Sequence, residues 1–219
     1  MAALLVSTSA ALGATLRAPT RAAVESTIRR LGTSGGPPQV VWTAGRSTPE
    51  LVAGLREPTQ GADLRARAQD FVSRHPELVA AGPGALEFAW EQRSARRDTV
   101  RFEQRLDGLP VLRCGLTVSL DRDGAVVSVV DETVRVLEVR RGAVAAGDAE
   151  VVAREAVARR VAGPTSVVVQ PTRAWVVADA VARPVWSVRV AAPQGLQVYR
   201  VVVDAETGRA LSVRDRVRR

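Results

Sequence analysis

Apolar residues in this chain follow two different periods, and the switches between them outline the fold. From 62 to 78, Leu64, Ala68, Phe71 and Val72 recur at helical spacing with Arg and Asp opposite. His75-Pro76 predicts the end of that helix, because proline disfavours helical backbone in the residue before it. From Leu86 the period becomes two. Val100, Phe102, Gln104 and Leu106 alternate with Arg101, Glu103 and Arg105, and Asp107-Gly108 is a turn signal. Beyond Pro110, every second position from Leu112 to Leu120 is apolar, with Cys114 among them. Asp121-Arg122-Asp123-Gly124 predicts another turn, Val127 and Val129 continue the alternation, and a further strand is predicted over 133–139.

The second half repeats this order. Asp148 can cap a helix whose Ala149, Val152, Ala153, Ala156 and Val157 share a face, and Gly163-Pro164 stop it. Strands are predicted at 167–170, 174–178, 185–191, 198–204 and 210–214, with a turn at 204–208. Upstream, Ala22, Val24 and Ile28 allow a short helix, 32–38 is a Gly/Pro break, and 39–44 reads as a strand. Thr48-Pro49-Glu50 carries a helix-start signature: a capping hydroxyl, a pre-set ring and an acid. The fold class predicted is α+β, as two tandem small domains, each a helix packed on an antiparallel β-sheet. The boundaries are a signal-like segment 1–14, a linker 15–36, a first domain 37–141, a small-residue hinge at 142–147, a second domain 147–214 and a basic tail 215–219.

Composition changes this picture little. The 219 residues are 46% hydrophobic and mostly Val and Ala, which suits strands and helices respectively. The formal net charge is +8, yet all 31 basic side chains are Arg, none is Lys, and Asn is absent. That is the mark of a GC-rich coding bias, and the arginines are spread along the chain beside acids, so no nucleic-acid partner is assigned. The apolar start, 1–14, is too short to span a bilayer, which takes about 20 residues. It resembles the later part of a signal peptide with cleavage after Ala14, which makes the chain secreted or periplasmic.

Candidate chemistry is sparse. Cys114 is the only cysteine, so no internal disulfide or Cys-based zinc site can form, and a buried core thiol is the expected role. His75 is the only histidine, which excludes a His-Glu-x-x-His pair within these residues; an exposed helix cap is expected there. The Asp121–Asp123–Gly124 turn lacks the further oxygens of a calcium loop. Trp42, Trp90, Trp175 and Trp186 read as packing residues. No catalytic, cofactor or metal residue is assigned.

The run Val100-Arg101-Phe102-Glu103-Gln104, then Asp107-Gly108-Leu109-Pro110-Val111, Leu116-Thr117-Val118 and Asp121-Arg122-Asp123-Gly124, resembles the fungalysin/thermolysin propeptide domain. Arg183 to Val188 and Tyr199 to Gly208 are similar to a PepSY domain. The resemblance covers about 37–214 and assigns 37–141 to the propeptide-like domain and 147–214 to the PepSY-like one. It departs at Arg113-Cys114-Gly115, where the family often has a Gly-Gly pair. It implies a non-catalytic pro-region, intramolecular chaperone and inhibitor, whose partner is a zinc metallopeptidase catalytic domain in cis or encoded nearby. Arg101, Gln104, Gly108 and Pro110 match the motif and are the candidate partner-binding positions, with Gly108 and Pro110 also shaping a turn. The alternative is a secreted or envelope PepSY-type protein that binds another protein or a cell-wall partner.

Overall fold

A computed structural model describes residues 19–192 and 197–215. The signal-like segment 1–14 lies outside these residues, as does 216–219 of the basic tail. The chain is α+β. Its first half contains α1 (Arg21–Arg30), β1 (Gln39–Val41), β2 (Leu51–Glu57), α2 (Leu64–Arg74), β3 (Leu86–Gln92), β4 (Asp98–Leu106), β5 (Leu109–Leu120) and β6 (Val126–Asp131). The strands form an antiparallel sheet in the order β1-β2-β6-β5-β4-β3. Asp63 caps α2 by accepting from the Ala66 N–H at 2.7 Å. The α2 face read from the sequence, Leu64, Ala68, Phe71 and Val72, is buried. It packs in one core with Leu55, Val100, Phe102, Leu116, Val118 and Leu120.

Two elements differ from the sequence reading here. Thr48-Pro49-Glu50 starts no helix. Residues 51–53 pair with β6 and β1, which places Val52 in the core, and the buried Thr48 hydroxyl donates to Asp131 at 3.3 Å instead of capping. Sheet pairing on both sides outweighs the local capping signal. The segment 15–36 is more than a connector, since Val24 and Ile28 of α1 enter the same core.

The second half contains β7 (Glu138–Val139), α3 (Ala146–Ala158), β8 (Ser166–Ala178), β9 (Val181–Ala191), β10 (Val198–Asp204) and β11 (Ala210–Asp215). The order is β8-β9-β10-β11, antiparallel throughout. Helix α3 starts two residues before Asp148, which lies in its first turn and makes no capping bond. Ala149, Ala153, Ala156 and Val157 pack on Val188, Val190, Tyr199, Val201 and Val203. The segments 167–170 and 174–178 are one strand, whose register against β9 shifts twice between Val167 and Thr172. Pro171 lies in that stretch, where its missing N–H costs no ladder bond. The predicted strand 133–139 shrinks to β7, because Thr133 and Val134 spend their backbone N–H groups on the side chains of Asp131 and Gln104.

The two sheets meet along a seam. Val111 of β5 bridges Trp175 of β8 in parallel, and the Trp175 indole donates to the Leu106 carbonyl at 2.9 Å. Val111, Trp175 and Ala182 form a small apolar cluster there. β7 adds a second parallel contact, against β9, so the sheets are not wholly antiparallel. The expected hinge 142–147 is tied down: the Arg173 guanidinium donates to the Gly142 carbonyl at 2.7 Å, and Trp186 Nε1 donates to the Val144 carbonyl at 2.8 Å.

His75 is not the exposed cap the sequence suggested. Its side chain is 16% exposed and packs on Phe71 at 4.8 Å between ring centroids, with Nε2 3.6 Å from Glu57 and no hydrogen bond. Burial pushes the imidazole pKa down, Glu57 opposes it, and Arg74 reinforces it while Glu77 opposes. The folded state therefore prefers neutral His75. This contribution is complete above the unfolded imidazole value, about 6.5, and is lost as pH falls through the lower folded value. Urea unfolding should give a lower stability at pH 5 than at pH 7, and His75→Gln should flatten that difference. Glu57 and Asp70 add a second acid-side loss. Burial raises both, but backbone N–H groups of Gly32 and Gln60 and the Arg74 guanidinium hold them below the ordinary range.

Candidate functional site

The β4–β5 hairpin carries the four motif positions, and the structure separates their roles. Asp107 and Gly108 have φ of 51° and 73°, as a two-residue turn of mirror-image type requires. Gly108 thus sets the hairpin. Gln104 is buried, and its amide donates to the Val134 carbonyl at 2.7 Å while accepting from the Val134 N–H at 2.9 Å. That two-bond clamp holds the side chain of Gln104 against Val134 and away from solvent. Arg101 spans β4 and β5, donating to Thr117 Oγ1 at 2.8 Å and to Glu132 at 2.7 Å.

Past the turn, β5 leaves β4. Arg105 faces Pro110, yet Glu103 faces Gly115, so 111–114 fall outside the ladder. Arg113 sits in this bulge with φ of 68°, a left-handed conformation that suits glycine. An arginine therefore bears a left-handed strain that a glycine would not. Arg113→Gly is expected to raise stability by about 0.5–1 kcal/mol, less than the full left-handed penalty because glycine also frees the unfolded chain. A lower unfolding midpoint would contradict this.

The bulge opens a cavity of about 360 Å³ at the seam. Arg101 and Glu103 line it from β4, Pro110 to Cys114 from β5, Val169, Gln170 and Thr172 from β8, Ser187 and Arg189 from β9, and Arg200 from β10. A second cavity of about 250 Å³ shares Leu112, Arg113 and Arg200 and reaches Ser212, Arg214 and Asp215. Together they form one cleft between the halves. Cys114 is half-buried on its wall, not deep in a core, and packs beside the seam cluster. Burial first, then the Glu132 charge, pushes its thiol up to about 11, so it stays protonated and unreactive at neutral pH. Among the described residues no three His, Cys, Asp or Glu side chains gather as metal ligands. His75 lines neither cavity.

The sequence of these strands and their turn matches a known family motif. Residues 98–133 match the Fungalysin/Thermolysin Propeptide Motif. The chain carries a peptidase propeptide motif. It covers β4, β5 and β6 and ends at Thr133, so it includes Arg101, Gln104, Gly108, Pro110 and the bulge. This is a motif of pro-regions, not of a catalytic domain. No curated protein matches the chain. Among solved structures, the C-terminal domain of YpeB from Bacillus megaterium overlaps 83% of this chain and 76% of its own, at 13% identity and a TM-score of 0.43. That overlap is too loose to transfer any role. No helix among the described residues is long and apolar enough to cross a membrane.

The sequence singles out Arg113 only as a departure from the family's glycines and does not single out Arg189, Arg200 or Arg214 as site residues. Each was visible as an arginine in a strand, but which strands meet was not.

Proposed function

We propose that the chain is the non-catalytic pro-region of a secreted thermolysin-type zinc peptidase, acting as its folding template and inhibitor. The observation that carries this reading is the propeptide motif over 98–133. In it, the segments 37–141 and 147–214 act as a propeptide-like and a PepSY-like unit. The catalytic domain is supplied in cis or from a neighbouring gene, and the pair is exported. Arg101 and Pro110, on the cleft wall, are the motif positions offered to the peptidase, while Gly108 shapes the turn that presents them.

The physics of such a role is simple. A surface complementary only to the native peptidase stabilises it by mass action. A preformed template also shortens the search for long-range strand pairings, which fold slowly. The test is refolding of the peptidase encoded with this chain, a frame with His-Glu-x-x-His, from denaturant with and without the chain. A higher yield of active enzyme is expected; an unchanged yield would defeat the chaperone role.

A further inference from the structure

The two faces of the second sheet are unlike. One is covered by α3 and is apolar. On the other, Arg200 of β10 is the direct cross-strand partner of Arg189 on β9 and of Arg214 on β11. Three arginines therefore stand in one row across three adjacent strands, about 4.8 Å apart at the backbone. Like charges directly opposite in a sheet are destabilising. Arg200 is anchored by its Nε donating to Ser187 Oγ at 3.0 Å, while Arg189 and Arg214 are exposed. Arg113 enters from β5, and Arg101 lies on the far wall. Arg101 is already paired with Glu132 at 2.7 Å, and beside the other four the cleft walls hold Glu103 and Asp215.

We infer that this arginine row is a binding site for an acidic segment of a partner protein. The inference rests on the pro-region reading for the identity of the partner, which is the peptidase domain, but not for the chemistry of the site. Carboxylates laid over the row relieve its repulsion and accept from several guanidinium groups. Between the arginines the cleft is lined by Leu112, Val169, Val202 and Thr172, side chains that suit a polypeptide. Among the described residues it has no aromatic wall on which a base could stack, which disfavours single-stranded nucleic acid. Val169 is itself exposed and is the β8 partner of Arg189, so apolar surface continues the row to the sheet's edge.

The experiment measures binding of fluorescein-labelled deca-glutamate to the full chain at low salt, with labelled deca-thymidylate as a second arm. Wild type is expected to bind the peptide and to release it as salt rises. The double variant Arg189→Gln/Arg214→Gln should bind about tenfold more weakly, since each exposed ion pair accounts for up to about fivefold. Its thermal midpoint should stay level or rise, because repulsion is relieved. Equal peptide binding by the variant, a lowered midpoint, or tighter binding of the oligonucleotide would overturn the inference. Inhibition of the peptidase separates the two proposals. If wild type and the variant inhibit equally, the pro-region reading stands and the arginine row is excluded as the contact. If the peptide result holds while wild type neither refolds nor inhibits the peptidase, the row stands and the pro-region reading fails.

Discussion

Gly115→Ala is expected to cost about 3 kcal/mol or more, the upper range for overpacking a closed site. A Cβ at Gly115 would collide with the Phe102 carbonyl oxygen and lie 2.9 Å from the Arg101 guanidinium. The arginine could swing aside. The carbonyl cannot, because Phe102 is buried and its strand is paired with β3 and β5 at once. Relief would require separating β4 from β5 within the propeptide motif. Domains of this size are stable by about 5–15 kcal/mol, so the loss would take a large share of the total. Gly36→Ala is the control, since a Cβ there meets nothing within 4 Å. Urea midpoints should fall steeply for the first and hardly move for the second. Equal midpoints would show that the β4–β5 contact is looser than described.

Asp131→Ala is the second large effect, at about 3 kcal/mol. Asp131 ends β6 and is 1% exposed. One carboxylate oxygen accepts from the Thr133 N–H at 2.9 Å and from its hydroxyl at 2.6 Å. The other accepts from Arg46 at 2.8 Å, Ala80 N–H at 3.1 Å and Thr48 at 3.3 Å. Burial pushes the carboxyl pKa up, against the bonds from Thr133 and Ala80 and the Arg46 charge. By linkage, a raised folded value means that the charge itself is held at a cost at neutral pH. What Asp131 contributes is acceptor geometry. Alanine would orphan donors from three separate segments, so the damage exceeds that of one lost bond. Asp131→Asn keeps one oxygen and should lose less. If the two variants are equally stable, the acceptor account is wrong.

The sequence disclosed those parts of the fold that depend on local period. The α2 face, the Asp107-Gly108 turn and the alternation through β4 and β5 all follow from spacing and turn chemistry. Strand β10 appears at 198–204 as read. The reading failed where a distant partner overruled a local signal. Thr48 resembles a cap until Asp131 claims its hydroxyl, and 133–139 resembles a strand until Asp131 and Gln104 take its N–H groups. The site was legible only in part. Arg101 and Pro110 come from the motif, but Gln104 alternates like any strand residue and its clamp on Val134 is invisible in one dimension. The arginine row needs the register of three strands, which no single-strand pattern contains.

The most direct test is a titration of the full chain into the mature form of the zinc peptidase encoded with it, following hydrolysis of a peptide substrate. Saturable, stoichiometric inhibition is expected, released when the chain is cleaved. Full hydrolysis at a large excess of intact, folded chain would contradict it.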